Sequence, residues 1–445
     1  MIENEREVET VRIIDRVERE STLDLEAMEF FIRSGVLTMG ARVLEQLLHQ
    51  VGVGRQEQPR LCGRGHLPRK MESSGVYKKT IHTILGPVLF ERSRYVCPIC
   101  DAVEYPGDEL LGVQETGFSP GLRRLMTRAG SRESFAEGAE DLQVYGGIRV
   151  SAKDVERVAE ATGRLINDWM NKQGSVALLK AAGQATSEEK IPILYISLDG
   201  TGAPMRKSEV EGVKGKGEDG RARTREVKLG CVFTQTALDA QGRPVRDPES
   251  TTYVGAIESS DDFGNRLYAE AVRRGLHRAQ KIAVLSDGAE YNATIAREHF
   301  PGAIHILDFF HAQERLNNFV KEDTSHDREG PFHQECYAHL DQGRIEELIE
   351  RMREGLPRSG PRRKQGLKRI QYFADRKEQM RYAEFRRQGL FVGSGVVEAG
   401  CKTVIGKRVK QSGMFWSVSG ANAIIAARCC IYSGRFEQFW EDTGS

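Results

Sequence analysis

The sequence predicts an α/β protein built on a largely buried sheet. One observation is residues 191–202, IPILYISLDGTG, an apolar run that ends in Asp199, Gly200, Thr201 and Gly202. A second is residues 281–288, KIAVLSDG, which repeats the design with Asp287 and Gly288. Short, almost uniformly apolar runs suit strands buried on both faces of a sheet. Each delivers a carboxylate to the carboxyl edge, where open α/β folds place their ligands. Asp-Gly after an apolar strand is also an ordinary turn signal, because Asp bonds local backbone and Gly takes φ > 0. The two acids therefore need a third carboxylate before they read as chemistry.

Composition sets the frame. At 445 residues the chain has room for about three domains. Charged residues make up 29% of it, yet the net charge is +1, so any nucleic-acid footprint must be local. No apolar run approaches a membrane span, and the charged opening residues (MIENEREVETVRIIDRVERE) are unlike a signal peptide. The eight cysteines include a Cys-x-x-Cys pair, Cys97 and Cys100, which favours metal or reduced thiols over a disulfide frame. The expectation is a soluble, cytoplasmic, multidomain protein.

Residues 1–55 read as helical. Apolar positions recur at three and four through Met28, Phe31, Ile32, Val43, Leu44 and Leu47. A packing or dimerisation helix pair satisfies that pattern. Residues 56–112 change character. Cys62-Gly-Arg-Gly-His66 is followed by a β-like stretch and then Cys97-Pro-Ile-Cys100. Residues 80–95 (TIHTILGPVLFERSRY) predict a hairpin turning at Gly86-Pro87. Knuckle, hairpin and knuckle make a zinc-ribbon-like segment with Cys62, His66, Cys97 and Cys100 as Zn²⁺ ligands. Two reduced cysteines and a chance histidine are the alternative. A ribbon this small needs its metal to fold.

Residues 113–185 return to helix. Ser119-Pro120 opens one, residues 135–142 a second, and Ser151, after a Gly146-Gly147 break, caps a third over residues 151–165. Helix, glycine turn and helix is compatible with a DNA-reading helix-turn-helix, though most helical hairpins touch no DNA. Residues 174–190 read as a linker.

Residues 190–310 supply the α/β core. After the opening strand comes a basic, glycine-rich loop with Arg206, Lys207, Lys214, Lys216, Arg221, Arg223 and Arg225. Its position beside Asp199 suits phosphate contact, while a solvated hairpin explains it equally. Strands are expected over 227–236 and 251–257, a helix over 261–275, the Asp287 strand, a helix over 291–299, and a strand over 303–307. The order β-β-β-α-β-α-β, with acids closing the first and fourth strands, is that of a ribonuclease-H-like fold.

Residues 311–390 form an all-α insertion. Its basic stretch 357–387 interleaves Tyr372, Phe373, Tyr382 and Phe385, which suits either DNA contact or an ordinary helical core. Residues 391–445 hold the carboxyl-terminal helices of the core. Glycine-flanked GSGVVEAGCK places Glu398 one turn inside a helix, with Lys402 on the same face. That is where this fold needs its third acid. Three converging carboxylates repel unless cations neutralise them. Two Mg²⁺ or Mn²⁺ ions about 3.5–4 Å apart clamp the attacking and leaving oxygens of a phosphodiester. Asp199 would bridge the ions, with Asp287 and Glu398 each holding one. Water or a DNA 3′-hydroxyl would attack in line.

The chain resembles a known family at these residues. Asp199 in LDGTG, Asp287 in LSDGAEYN, Asp308-Phe-Phe-His311, and Glu398 in GSGVVEAGCK followed by GMFWSVSGANAI resemble the DDE insertion-sequence transposases of the ISKra group, bacterial relatives of the Mutator-like transposases. The resemblance implies a ribonuclease-H-like catalytic core interrupted by a helical insertion, with Asp199, Asp287 and Glu398 as the triad. It matches Asp308 and His311 to a D-x-x-H signature and implies a supporting catalytic place for His311, near phosphate or a flipped base. A helix-start histidine satisfied by Asp308 is the other reading. Relatives often carry two CxxC pairs, from which Cys62-x-x-x-His66 departs. The implied function is a DNA transposase that binds double-stranded element ends and target DNA, cleaves with divalent ions, and works as a dimer or larger homo-oligomer. A nuclease or resolvase without strand transfer, and a DNA-binding protein with an inactive triad, are its rivals.

Overall fold

The computed structural model describes residues 25–52, 60–183, 190–213, 222–327 and 329–444. The chain divides into two compact units, residues 1–162 with 437–445 and residues 163–436. Among the described residues no helix is long and apolar enough to cross a membrane.

In the first unit the described part of the expected helical segment is one helix, α1 (Leu25–Val51); residues 1–24 and 53–55 of that segment lie outside the described residues. Its Ala41, Leu44 and Leu48 pack on Ile81, Val88 and Phe90 of a long hairpin, β1 (Glu72–Thr83) and β2 (Gly86–Val96). A short strand, β3 (Val103–Glu104), pairs with the end of β2. The hairpin does not turn at Gly86-Pro87. Ile84 and Leu85 make the turn, and Gly86 is already paired with Thr83. The cause is the Thr83 hydroxyl, which donates to Gly86 O at 2.8 Å and accepts from Leu85 N at 3.1 Å, closing the loop earlier.

Three helices follow: α2 (Pro120–Arg132), α3 (Phe135–Gly146) and α4 (Ala152–Gly183). Ser119 caps the first, and a Ser134–Glu137 capping box opens the second. Gly147, left-handed at φ 69°, ends the second. Ser151 then accepts from Asp154 N to start the third. Leu122, Met126, Leu142, Val155 and Val158 form their core. The third helix runs through residues 174–183, where a linker was expected. Gly174 costs a helix about 1 kcal/mol relative to alanine, but Met170, Ala177 and Ala181 around it bury against the core of the second unit, and packing decides the outcome.

The second unit holds a five-stranded mixed sheet: β4 (Ile191–Pro204), β5 (Thr224–Gln235), β6 (Thr252–Ala256), β7 (Ala279–Ser286) and β8 (Ile304–Leu307). Their spatial order is β6-β5-β4-β7-β8. The β4–β5 and β5–β6 pairs are antiparallel, while β4–β7 and β7–β8 are parallel. Helices α5 (Ser260–Arg273) and α6 (Glu290–His299) follow β6 and β7. Phe263, Leu267 and Ile295 from them bury Leu194, Ile196, Leu198 and Val284. On the other side Tyr195 stacks on Phe233 at 4.8 Å with Phe391 edge-on. The opening strand is thus buried on both faces, as its composition required.

A helical block follows β8: α7 (Phe309–Asp323), α8 (Pro331–Asp341), α9 (Ile345–Glu354), α10 (Pro361–Asp375) and α11 (Tyr382–Arg387). Phe373, Tyr382 and Phe385 are buried in it, so three of the four interleaved aromatics are core. Its charges are partly spent internally. Arg369 pairs with Glu322 and Asp323, Arg381 with Glu346 and Glu378, and Arg386 with Asp341. Arg358, Arg362, Lys364 and Lys368 are exposed.

The chain then returns to the sheet through α12 (Gly395–Gly400), which packs against β4 and β5. A π-helical turn, Cys401–Gly406, comes next, and α13 (Val418–Tyr432) packs on β6. Widening a helix to π spacing releases carbonyls from their usual partners. The buried Arg428 of α13 donates to two of them, Thr403 O and Val404 O, each at 2.5 Å.

Candidate active site and metal centre

Register sets three aspartates side by side. Ser286 of β7 lies opposite Leu198 of β4 and opposite Leu307 of β8. The next residue on each parallel strand is an acid: Asp199, Asp287 and Asp308. The carboxyl edge of the parallel strands therefore carries one carboxylate per strand. Asp308 was noted in the sequence but not counted among the acids.

Asp199 does not end its strand. The strand β4 continues to Pro204 as a hairpin with β5, pairing Asp199 with Leu229 and Pro204 with Thr224. Only its parallel neighbour stops there. Gly200 is thus no turn residue. A β-carbon on it would lie 2.5 Å from the Tyr291 hydroxyl and 2.8 Å from Glu226 Oε1. It is glycine because Tyr291 crosses over it. Asp199 accepts from Gly200 N at 2.7 Å and from the Cys401 thiol. Burial raises its pKa above the usual carboxylate range, and the Asp287 charge adds to that rise. The two hydrogen bonds and the His311 charge oppose it.

Asp287 sits on a tight turn. Its Oδ1 accepts from Ala289 N and from Asn292 Nδ2, both at 2.9 Å. Gly288 is left-handed at φ 80°, and its missing β-carbon leaves room for the Tyr372 hydroxyl. Tyr372, from the helical block, lies between the guanidiniums of Arg315 and Arg376, at 4.1 and 4.2 Å from its ring centre. Tyr291 stands near Asp199, Asp287 and Glu226. Burial first, and then those negative charges, push its phenol far above the usual range, so it remains a protonated donor.

Asp308 is fully buried and caps α7, its Oδ1 accepting from His311 N at 2.7 Å. The reading of His311 as satisfied by Asp308 holds for its backbone and not for its ring. Ring Nε2 lies 4.0 Å from Glu398 Oε1, and Nδ1 lies 3.8 Å from Glu314. Ser394 links the two acids: its N–H donates to Asp308 Oδ2, and its hydroxyl donates to Glu398 Oε1 at 2.8 Å. Asp308, His311 and Glu398 offer ligand atoms all within 4.8 Å of one another. Asp199 and Asp287 lie outside that group. The expected set of Asp199, Asp287 and Glu398 is joined instead through His311, whose charge Asp199 senses, and through Cys401, one turn past Glu398. The sequence reading missed Ser394, Cys401, Tyr291 and Asn292 as supports, although all four fall inside the quoted LSDGAEYN and GSGVVEAGCK motifs.

Around the acids, Arg206 and Lys207 are exposed just beyond the end of β4, and Lys410 Nζ donates to the Thr201 hydroxyl. Trp416 of the GMFWSV motif bridges to Met205. Lys214, Lys216 and Arg221 of the basic loop lie outside the described residues.

In the first unit Cys62, His66, Cys97 and Cys100 converge, with ligand atoms within 4.8 Å of one another. His66 Nε2 lies 3.4 Å from both Cys97 Sγ and Cys100 Sγ, and Cys62 Sγ lies 3.7 Å from Cys100 Sγ. His66 Nδ1 bonds Leu67 O at 2.7 Å, which turns Nε2 toward the sulfurs. Burial raises the Cys97 thiol, but N–H groups of Cys100 and Ile99 outweigh it and bring it down to about 6. The set matches tetrahedral zinc in ligand type and number. It could hold Zn²⁺.

No protein-family model matches the chain, and no curated protein matches it. Among solved structures it is similar to the Drosophila P element transposase strand transfer complex. The identity is 10%, covering 76% of this chain and 84% of that one, with a TM-score of 0.25. At that score the likeness carries no argument about fold or function.

Proposed function

We propose that the chain is a DDE-type DNA transposase with a ribonuclease-H-like core. One observation carries the reading. A mixed sheet of order 3-2-1-4-5 presents Asp199, Asp287 and Asp308 side by side on adjacent strands at the carboxyl edge of its parallel part, and a helix from further along the sequence brings Glu398 to them. Open sheets bind ligands at that edge.

The residues suit divalent cations. The Asp199 carboxyl is raised by burial and by Asp287, the condition a bound cation relieves. Asp287 engages its backbone and Asn292 through Oδ1, leaving Oδ2 for a ligand. Asp199, Asp287 and Glu398 would hold Mg²⁺ or Mn²⁺, two ions per site. Such ions stabilise charge on the attacking and leaving phosphate oxygens. The chain's own groups do the rest. The Cys401 thiol orients Asp199, Asn292 fixes Asp287, and Ser394 fixes Glu398. Arg206 and Lys207 are placed to neutralise DNA phosphates beyond the acids. The helices α2 to α4 and the zinc centre would recognise element ends, and two ends handled together call for a homodimer or larger assembly.

The test is incubation of the purified chain with its flanking element DNA and Mg²⁺, followed by product sequencing. The reading expects 3′ ends of one DNA joined to another. Cleaved but unjoined DNA would make it a nuclease, and bound but intact DNA a protein with an inactive triad. Affinity for DNA should also fall steeply with salt.

A further inference from the structure

Beside the aspartate edge lies a second donor set that the triad reading does not use. Asp308, His311 and Glu398 come from the end of β8, the first turn of α7 and the first turn of α12. We infer that they form a mixed nitrogen–oxygen cation position that takes Mn²⁺ in preference to Mg²⁺. The inference rests on the proposed reading, in which Glu398 holds one of the two ions, and specifies what else holds that ion.

The set is built before any ion arrives. Ser394 ties it together, its N–H on Asp308 Oδ2 and its hydroxyl on Glu398 Oε1 at 2.8 Å. Asp308 Oδ1 holds the start of α7 and so fixes where His311 begins. Each Asp308 oxygen accepts one of these N–H bonds, and a carboxylate oxygen has a second lone pair to offer. His311 and Glu398 are each 36% exposed at the side chain, so an ion can reach them from solvent while Asp308 forms the buried floor.

The ligand atoms must close on the ion. Bonds of about 2.1 Å put neighbouring ligands of one ion about 3 Å apart and only an opposed pair ~4.2 Å apart. His311 Nε2 and Glu398 Oε1 lie 4.0 Å apart and the whole set within 4.8 Å, so binding draws the side chains in by about 1–2 Å, within the reach of the half-exposed His311 and Glu398. A His–carboxylate ion pair is the competing description of that contact. An imidazole donor separates the two ions: Mg²⁺ prefers oxygen ligands throughout, whereas first-row transition ions gain from nitrogen.

The experiment uses the full chain, with its zinc retained, titrated with Mn²⁺ alone and with Mg²⁺ alone. Binding is read by calorimetry and by loss of the free Mn²⁺ paramagnetic resonance signal. Wild type should bind Mn²⁺ at least about tenfold more tightly than Mg²⁺, and its spin-echo spectrum should show modulation from a coordinated imidazole nitrogen. His311→Gln should remove the nitrogen modulation and weaken Mn²⁺ roughly tenfold or more, with little change for Mg²⁺. His311→Asn, which also removes the ring, should behave alike if the effect is ligation. Unchanged Mn²⁺ affinity in both variants, or no nitrogen modulation in wild type, overturns the inference. The transposase reading then survives if Asp287→Asn still abolishes DNA cleavage. A wild-type chain that binds neither ion and leaves DNA intact overturns both.

Discussion

The Cys401 thiol donates a hydrogen bond to the Asp199 carboxylate, joining residues 202 positions apart in sequence. Cys401 begins the π-helical turn three residues after Glu398. Burial, and after it the charge of Asp199, raise the thiol above its ordinary range, so it stays protonated and remains a donor. The contact fixes Asp199 relative to the helix that carries Glu398. Cys401→Ala should therefore slow DNA cleavage about fivefold, the worth of one modest hydrogen bond. Cys401→Ser, which retains a donor, should recover most of that loss. Equal rates for both variants and wild type would show that the contact does not position the acid.

Asp199 titrates in a direction that stability can report. Its folded pKa lies above the unfolded one because burial, chiefly, disfavours the charged form. A raised acid contributes stability that is complete below the unfolded value and is lost as pH rises through the folded one. Asp199→Asn removes that loss. In chelator, the variant should match wild type near pH 4 and melt roughly 1–3 °C above it at pH 7. Divalent ions should close the gap by stabilising wild type alone. Thermal melts from pH 4 to 8, with and without Mg²⁺, decide it; a variant less stable at pH 7 in chelator would contradict the direction.

Much of the sheet was legible because strands buried on both faces must be apolar throughout. Residues 193–198 and 282–286 come close to that, with Ser197 and Ser286 their only polar members. What local sequence could not show was a strand that outlives its neighbour. Asp199-Gly200 has the chemistry of a turn, and only the pairing of residues 199–204 with β5 makes it mid-hairpin. The Gly200 requirement is likewise set by Tyr291, 91 positions away in sequence. Gly174 reads as a helix breaker until the core that buries its neighbours is known. Asp308 was visible in the sequence, yet its place beside Asp287 follows from strand register and from Ser394, whose role no periodicity announces.

Gly288 faces two constraints at once. It is left-handed at φ 80°, and a β-carbon there would come 2.1 Å from the Tyr372 hydroxyl and 2.6 Å from Leu307 Cδ1. Gly288→Ala should cost about 2–4 kcal/mol, of which ~1–2 is the backbone penalty and the rest overpacking. Adding Tyr372→Phe removes only the hydroxyl clash, so the double variant should recover part of the loss and leave the backbone share. Urea midpoints with unchanged slopes measure both. Full recovery in the double variant would mean that the left-handed backbone is not a constraint.

The Cys62, His66, Cys97 and Cys100 cluster makes the last prediction, because thiols must shed protons to bind the zinc it could hold. Cys97 is held down to about 6 by N–H groups of Cys100 and Ile99, opposing the rise that burial causes. At pH 7.5 it is already a thiolate, and metal need not displace its proton. The Cys62 thiol, raised above its ordinary value, must still shed its proton, so zinc affinity should fall steadily as pH drops from 7.5 to 5. Cys97→Ser should lower zinc affinity at least tenfold at either pH. The local core is small, with Met71, Tyr95 and Ala102 packed around Cys62 and Cys97. Chelation should therefore loosen this segment first, read as faster amide exchange over residues 60–71 and 95–104, while β4 and β7 in the other unit stay protected. No zinc bound at pH 7.5, or exchange unchanged by chelator, would show that the four residues do not hold a structural ion.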